Sequence, residues 1–213
     1  MEQQPVQTTL YSLADSPPQP PERRDGGDRH LTLFRVGSLM IGERRELCLI
    51  KNISAGGMLI RAYCAVPPQT RVSVELKCGE SVTGTAAWVK GENIGIEFDQ
   101  PIDVVELLTT SMEGPRPRMP RIEIHAVAWL RQGAASHRVL ACDVSQGGIK
   151  IATAAEMIVD AEVIVTLTGL EPQSGVVRWS HAGTYGITFN RLLSLPLLVS
   201  WIHEQRDRMR AAG

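Results

Sequence analysis

The sequence contains no CxxC pair and no His-x-His, so Cys48, Cys64, Cys78 and Cys142 suggest neither a zinc site nor a disulfide framework. Net charge is nearly absent: 22 Lys and Arg against 23 Asp and Glu leave −1. That excludes a global basic field for nucleic acid or anionic lipid, so any anion recognition has to come from a local cluster. Long apolar runs are missing too. The longest, Leu192 to Ile202, is too short to cross a bilayer and is interrupted by Pro196, so no membrane insertion is expected. The first residues lack a charged start followed by an apolar run, which argues against a signal peptide and for a reducing, cytoplasmic location.

What the chain does have is a repeat. Asn52-Ile53-Ser54-Ala55-Gly56-Gly57-Met58 is answered 91 positions later by Asp143-Val144-Ser145-Gln146-Gly147-Gly148-Ile149. The same offset carries Val72, Val74 and Leu76 onto Val163, Val165 and Leu167, and Trp88 onto Trp179. Gly95-Ile96 and Phe98 fall on Gly186-Ile187 and Phe189. One domain is written twice, at a length of 213 residues that suits two units able to bury their own cores. The expected division is a disordered Pro- and Gln-rich tail over 1–22, a first domain over 23–112, and a second over 113–213 ending in a helix.

Within each copy the pattern is short β runs rich in Val, Ile, Thr and aromatics, with no helical period between them. Such spacing indicates an antiparallel barrel or sandwich rather than βαβ units. Helices are expected from Asp103 to Met112, with Asp103 and Glu106 as N-terminal acids, and from Leu195 to Arg210. The second helix ends in Arg206, Arg208 and Arg210, cations that suit a helix C-terminus without any ligand. Trp88 and Trp179, in equivalent strands, are expected to fill the two cores.

Each copy also joins two polar parts. An arginine-bearing loop (Arg23, Arg24 and Arg29; then Arg116, Arg118 and Arg121) precedes the first strand, and a small-polar turn follows (Asn52, Ser54, Gly57; then Asp143, Ser145, Gly148). Guanidinium forks bind phosphate oxygens bidentately and stack on purines, while an Asn or Asp with a Ser offers hydrogen-bonding groups to a base edge, and glycine permits close approach. Either part alone reads as a solvated loop or a simple turn. Both together, in order, twice, point to a planar phosphorylated ligand. Arg24 and Arg29 map onto Arg116 and Arg121 at an offset of 92, which suggests that one residue has been lost between loop and turn. No nucleophile–base pair recurs in both copies, no P-loop is present, and His125, His137, His181 and His203 show no spacing for a metal or a dyad, so no enzyme is expected.

The Asn52-x-Ser54-x-x-Gly57 and Asp143-x-Ser145-x-x-Gly148 turns, with an arginine loop upstream and Gly-x-Ala/Val-x-Trp and Gly-Ile-x-Phe strands downstream, resemble the PilZ domain over residues 23 to 205. The resemblance implies a mainly β chain with two tandem six-stranded antiparallel barrels, each followed by a short helix. It further implies a non-enzymatic receptor for cyclic di-GMP with no other cofactor, passing its state to a protein effector through loop and interdomain rearrangement. In that family an RxxxR loop clamps phosphates and stacks on guanine, and the D/NxSxxG turn reads a guanine edge. Here Arg24 to Arg29 and Arg116 to Arg121 are each five apart rather than four, and Pro117 stands where the second copy's first arginine would fall. The glycine-containing loop of copy one can absorb the extra residue, which favours domain 1 as the ligand site over domain 2. The alternative is a degenerate scaffold of the same fold that acts by protein–protein contact without nucleotide.

Overall fold

A computed structural model describes residues 31–77, 80–109 and 119–212. The tail expected over 1–22 and the far end of the helix expected to reach Met112 lie outside them.

Six strands form the first barrel: β1 (Leu31–Ile41), β2 (Arg44–Ile53), β3 (Gly57–Ala62), β4 (Arg71–Lys77), β5 (Glu80–Lys90) and β6 (Asn93–Phe98). All neighbours are antiparallel in the order β1-β2-β3-β6-β5-β4, and β1 closes on β4 through Ser38 to Met40 against Ser73 to Glu75. Helix α1 (Val104–Thr109) follows, capped by the Asp103 carboxylate, which accepts the amides of Val105 and Glu106 at 2.8 and 2.9 Å.

The second barrel repeats this topology with β7 (Ile122–Gln132), β8 (Ala135–Ser145), β9 (Gly148–Ala152), β10 (Glu162–Leu167), β11 (Gln173–His181) and β12 (Thr184–Phe189). It ends in α2 (Leu195–Ala212). The physical origin of both barrels is period-two alternation. Along β7, Ile122, Ile124, Ala126, Ala128 and Leu130 are buried while the residues between them face outward. Closure leaves no strand edge unpaired. Among the described residues no helix is long and apolar enough to cross a membrane.

Local departures from alternation matter more for the site than the alternation itself. Register shifts occur between Ile50 and Asn52 in β2 and between Ala86 and Trp88 in β5. They recur between Ala141 and Asp143 in β8 and between Val177 and Trp179 in β11. Each bulge inserts one residue and resets the phase, so the next side chain, which simple counting would bury, turns outward.

The two barrels share apolar surface. Leu47, on the outer side of β2, belongs to the second barrel's apolar cluster, and Val36, Leu49 and Tyr63 pack against it. The buried Glu46 carboxylate accepts a hydrogen bond from Arg206 of α2 at 2.5 Å and lies 3.3 Å from His203 Nε2. Arg206 therefore does more than complement a helix end, since it ties α2 to the first barrel. Burial pushes the Cys48 thiol up to about 12 and also raises Cys64, where the Glu46 charge adds to the effect, so neither is a reactive thiolate at neutral pH.

Candidate functional site

The Asn52–Gly57 and Asp143–Gly148 segments join the second and third strands of each barrel. Ser54 and Ser145 are buried, and their hydroxyls donate to the carbonyls of Gly57 and Gly148 at 3.2 and 3.3 Å. In the first turn the Ser54 amide donates to the same Gly57 carbonyl at 2.8 Å. The serines, expected from sequence to face a base edge, brace the turn from inside.

The paired glycines likewise serve the fold. A Cβ on Gly57 would collide with the Ile96 carbonyl oxygen, and one on Gly148 with that of Ile187, so these positions admit the close approach of the facing strand. The turns are further fixed to the last strands, where Phe98 donates to the Gly56 carbonyl and Phe189 to that of Gly147, each at 2.9 Å. What remains free to face outward is the residue set by the bulge, Asn52 in one barrel and Asp143 in the other.

The tryptophans differ from expectation. Trp88 is 48% exposed and Trp179 is 42% exposed, so neither fills a core. The β5 and β11 bulges turn them outward, where each indole lies flat over a glycine of the adjacent strand, Gly95 or Gly186. The glycine of Gly-Ile-x-Phe is thus the seat of a tryptophan ring. In the first barrel the ring helps to wall a surface groove of about 450 Å³, which Asn52, Ser54, Gly57, Gly95 and Glu97 also line. Sequence reasoning favoured the core over a stacking role for Trp88 because a bulge leaves no clear mark on the alternation pattern, and it did not single out Glu97. Gly95→Ala should displace the indole and destabilise the barrel by about 1–3 kcal/mol. The measurements are near-ultraviolet circular dichroism and a thermal melt; an unchanged Trp signal would contradict this placement.

Of the predicted arginines, Arg23, Arg24, Arg29, Arg116 and Arg118 lie outside the described residues. Arg121 is described, and its guanidinium donates to the Asp143 carboxylate in a short, partly buried ion pair. The end of the second arginine loop is therefore in contact with the acidic residue of the second turn. Strand register explains why. Ile122 pairs with Val144 and Glu123 with Asp143, just as Leu31 pairs with Ile53 and Thr32 with Asn52.

The same registers localise the expected deletion: all four residues of each set are related by the offset of 91, so the residue is lost ahead of Leu31 and not between first strand and turn. By this count Arg121 occupies the place of His30. The barrels also differ over the turn itself: the side chains of Met119 and Leu192 lie over Gly147, whereas among the described residues nothing lies within 4 Å of a Cβ built on Gly56.

Fold and site together define a six-stranded antiparallel barrel with a braced polar turn and an outward Asn or Asp beside the first strand's entry. Residues 28–112, covering the first barrel and α1, match the family model of the PilZ domain. Comparison with curated protein sequences gives no match. Among solved structures, the chain is similar to the PlzA protein of Borreliella burgdorferi in complex with c-di-GMP, with 15% identity, 80% of this chain and 86% of that one covered, and a TM-score of 0.36. It is similar to the inhibitor of motility MotI/DgrA of Bacillus subtilis, at 14% identity, 85% and 99% coverage and a TM-score of 0.33. YcgR of Escherichia coli in complex with c-di-GMP follows, at 14% identity, 84% and 88% coverage and a TM-score of 0.30.

Proposed function

We propose that this protein is a non-enzymatic receptor for cyclic di-GMP and that the first barrel holds the ligand. The reading is carried by one juxtaposition. The chain enters each barrel beside the polar turn, with Leu31 against Ile53 and Ile122 against Val144, so an arginine just upstream is within reach of that turn, as Arg121 is of Asp143. The PilZ match over 28–112 supports the ligand class.

In the first barrel, Arg23, Arg24 and Arg29 clamp the phosphates and Asn52 meets a guanine edge from the groove wall. Glu97, which also lines the groove, supplies a carboxylate for guanine N–H donors that the Asn52 amide lacks. The exposed face of Trp88 offers a stacking surface. Loop closure over the ligand then changes what the chain presents to a protein effector.

In the second barrel, the Arg121–Asp143 pair together with Met119 and Leu192 over Gly147 favours a different role, the scaffold reading, in which this half serves protein contact without nucleotide.

Titration calorimetry of the full chain with cyclic di-GMP tests both assignments. Arg29→Ala removes a charge-assisted contact of about 1.5–3 kcal/mol, which weakens binding roughly ten- to a hundredfold. Asn52→Ala should weaken it as well, while Asp143→Ala leaves it unchanged. Absence of binding by the unmodified chain at high micromolar ligand would end the receptor reading.

A further inference from the structure

The two barrels are alike, yet among the described residues the same outer face is covered in one and bare in the other. On the first barrel, Val36 and Ser38 of β1 stand opposite Leu49 and Leu47 of β2. Ser38 and Leu47 are 0% and 2% exposed, and Val36 and Leu49 pack on the second barrel's apolar cluster. At the end of this face the Glu46 carboxylate receives Arg206 and His203 of α2. The second barrel's apolar cluster thus covers this face, and cations of α2 meet the acid beside it.

The equivalent residues of the second barrel, at the offset of 91, are Val127 and Trp129 of β7 opposite Leu140 and Arg138 of β8. Val127, Trp129 and Leu140 are 45%, 54% and 41% exposed. Three large apolar side chains side by side on one sheet face, one of them Trp, are unusual in an unpartnered surface and typical of an interface centre.

The residues around this face differ in charge from those of the covered one. His137 takes the place of Glu46, and Arg138 the place of Leu47. Arg138 stands directly across from Trp129, and Arg131 lies two residues along β7 on the same side. Neither arginine forms an ion pair among the described residues. Glu123 stands toward one end of the face, and Glu162 lines a surface pocket together with Arg131 at the other.

We infer that the outer face of β7 and β8, centred on Val127, Trp129 and Leu140, docks an acidic amphipathic helix of another protein. Its apolar stripe covers the Trp129 indole and its carboxylates pair with Arg131 and Arg138. This docking does not depend on nucleotide binding.

The test is selection of a random peptide library, long enough for four helical turns, on the full chain with counter-selection on Trp129→Glu. Trp129 is exposed, so that variant should fold, as far-ultraviolet circular dichroism will show. The expected survivors carry apolar residues at helical spacing with an excess of Asp and Glu. A synthetic survivor should lose at least about tenfold in affinity against Arg138→Glu. Failure of any peptide to survive counter-selection overturns the proposal, as do neutral or basic survivors, or an affinity that Arg138→Glu leaves unchanged. A dimer in sedimentation equilibrium that Trp129→Glu dissolves would give the face to a second copy and overturn it equally.

Discussion

Trp201→Ala is expected to destabilise the second barrel by about 3–5 kcal/mol, the range for deleting a buried aromatic side chain. Trp201 is among the largest fully buried side chains of the molecule, and it sits on the face of α2 that also buries Leu198 and Ile202. Its indole N–H donates to the Thr168 carbonyl at 2.9 Å, and its ring lies against Gly169 in the turn after β10. Truncation leaves a cavity between helix and barrel together with an unpartnered carbonyl, and the two penalties add. For a domain with a total stability of about 5–15 kcal/mol such a loss is severe. A thermal melt should show Tm lowered by on the order of 15 °C. Trp201→Phe keeps most of the volume and should cost only about 1–2 kcal/mol. If Trp201→Ala and Trp201→Phe melt together, the cavity argument is wrong.

The second large effect concerns the junction between the barrels. Arg206→Ala removes the guanidinium that donates to Glu46 at 2.5 Å and to the Arg45 carbonyl at 2.8 Å. The Glu46 carboxylate, only 4% exposed, then keeps His203 at 3.3 Å and the half-exposed Arg44 at 3.2 Å. Leaving a buried charge short of its partner typically costs about 3–5 kcal/mol, and the retained Arg44 places this case near about 3 kcal/mol. Because the pair spans the two barrels, the loss should also loosen their packing. Limited proteolysis between the barrels, with a denaturant melt, is the measurement. A double variant, Glu46→Met with Arg206→Met, removes both charges and should regain most of the stability. If it melts as low as the single variant, the buried-charge explanation fails and lost packing is the cause.

Much of the fold was readable from the chain because it rests on local rules that recur. Alternation along β7 and its counterparts marks strands, and a motif repeated at an offset of 91 marks two like units. Asp103 as a helix cap is equally local. The reading faltered where a single inserted residue changes a direction. Trp88 and Trp179 were expected inside because they match an alternating pattern, and one bulge in each strand turns them out. The brace that Ser54 and Ser145 give their turns, each to a carbonyl three residues on, is a contact that residue type alone does not specify. Arg206 was explained by the helix dipole alone, since nothing in a linear sequence connects it with a glutamate 160 residues away.

By itself the sequence determined the strand set, the duplication and the turns. These follow from side-chain period and residue chemistry, which are properties of short segments. Only the tertiary structure decided which polar residues face outward, that Arg121 is bonded to Asp143, and that, among the described residues, one β1–β2 face is covered while its twin on β7–β8 is bare. Those outcomes depend on bulge phase and on contacts between residues far apart in the chain, where a shift of one position exchanges inside for outside.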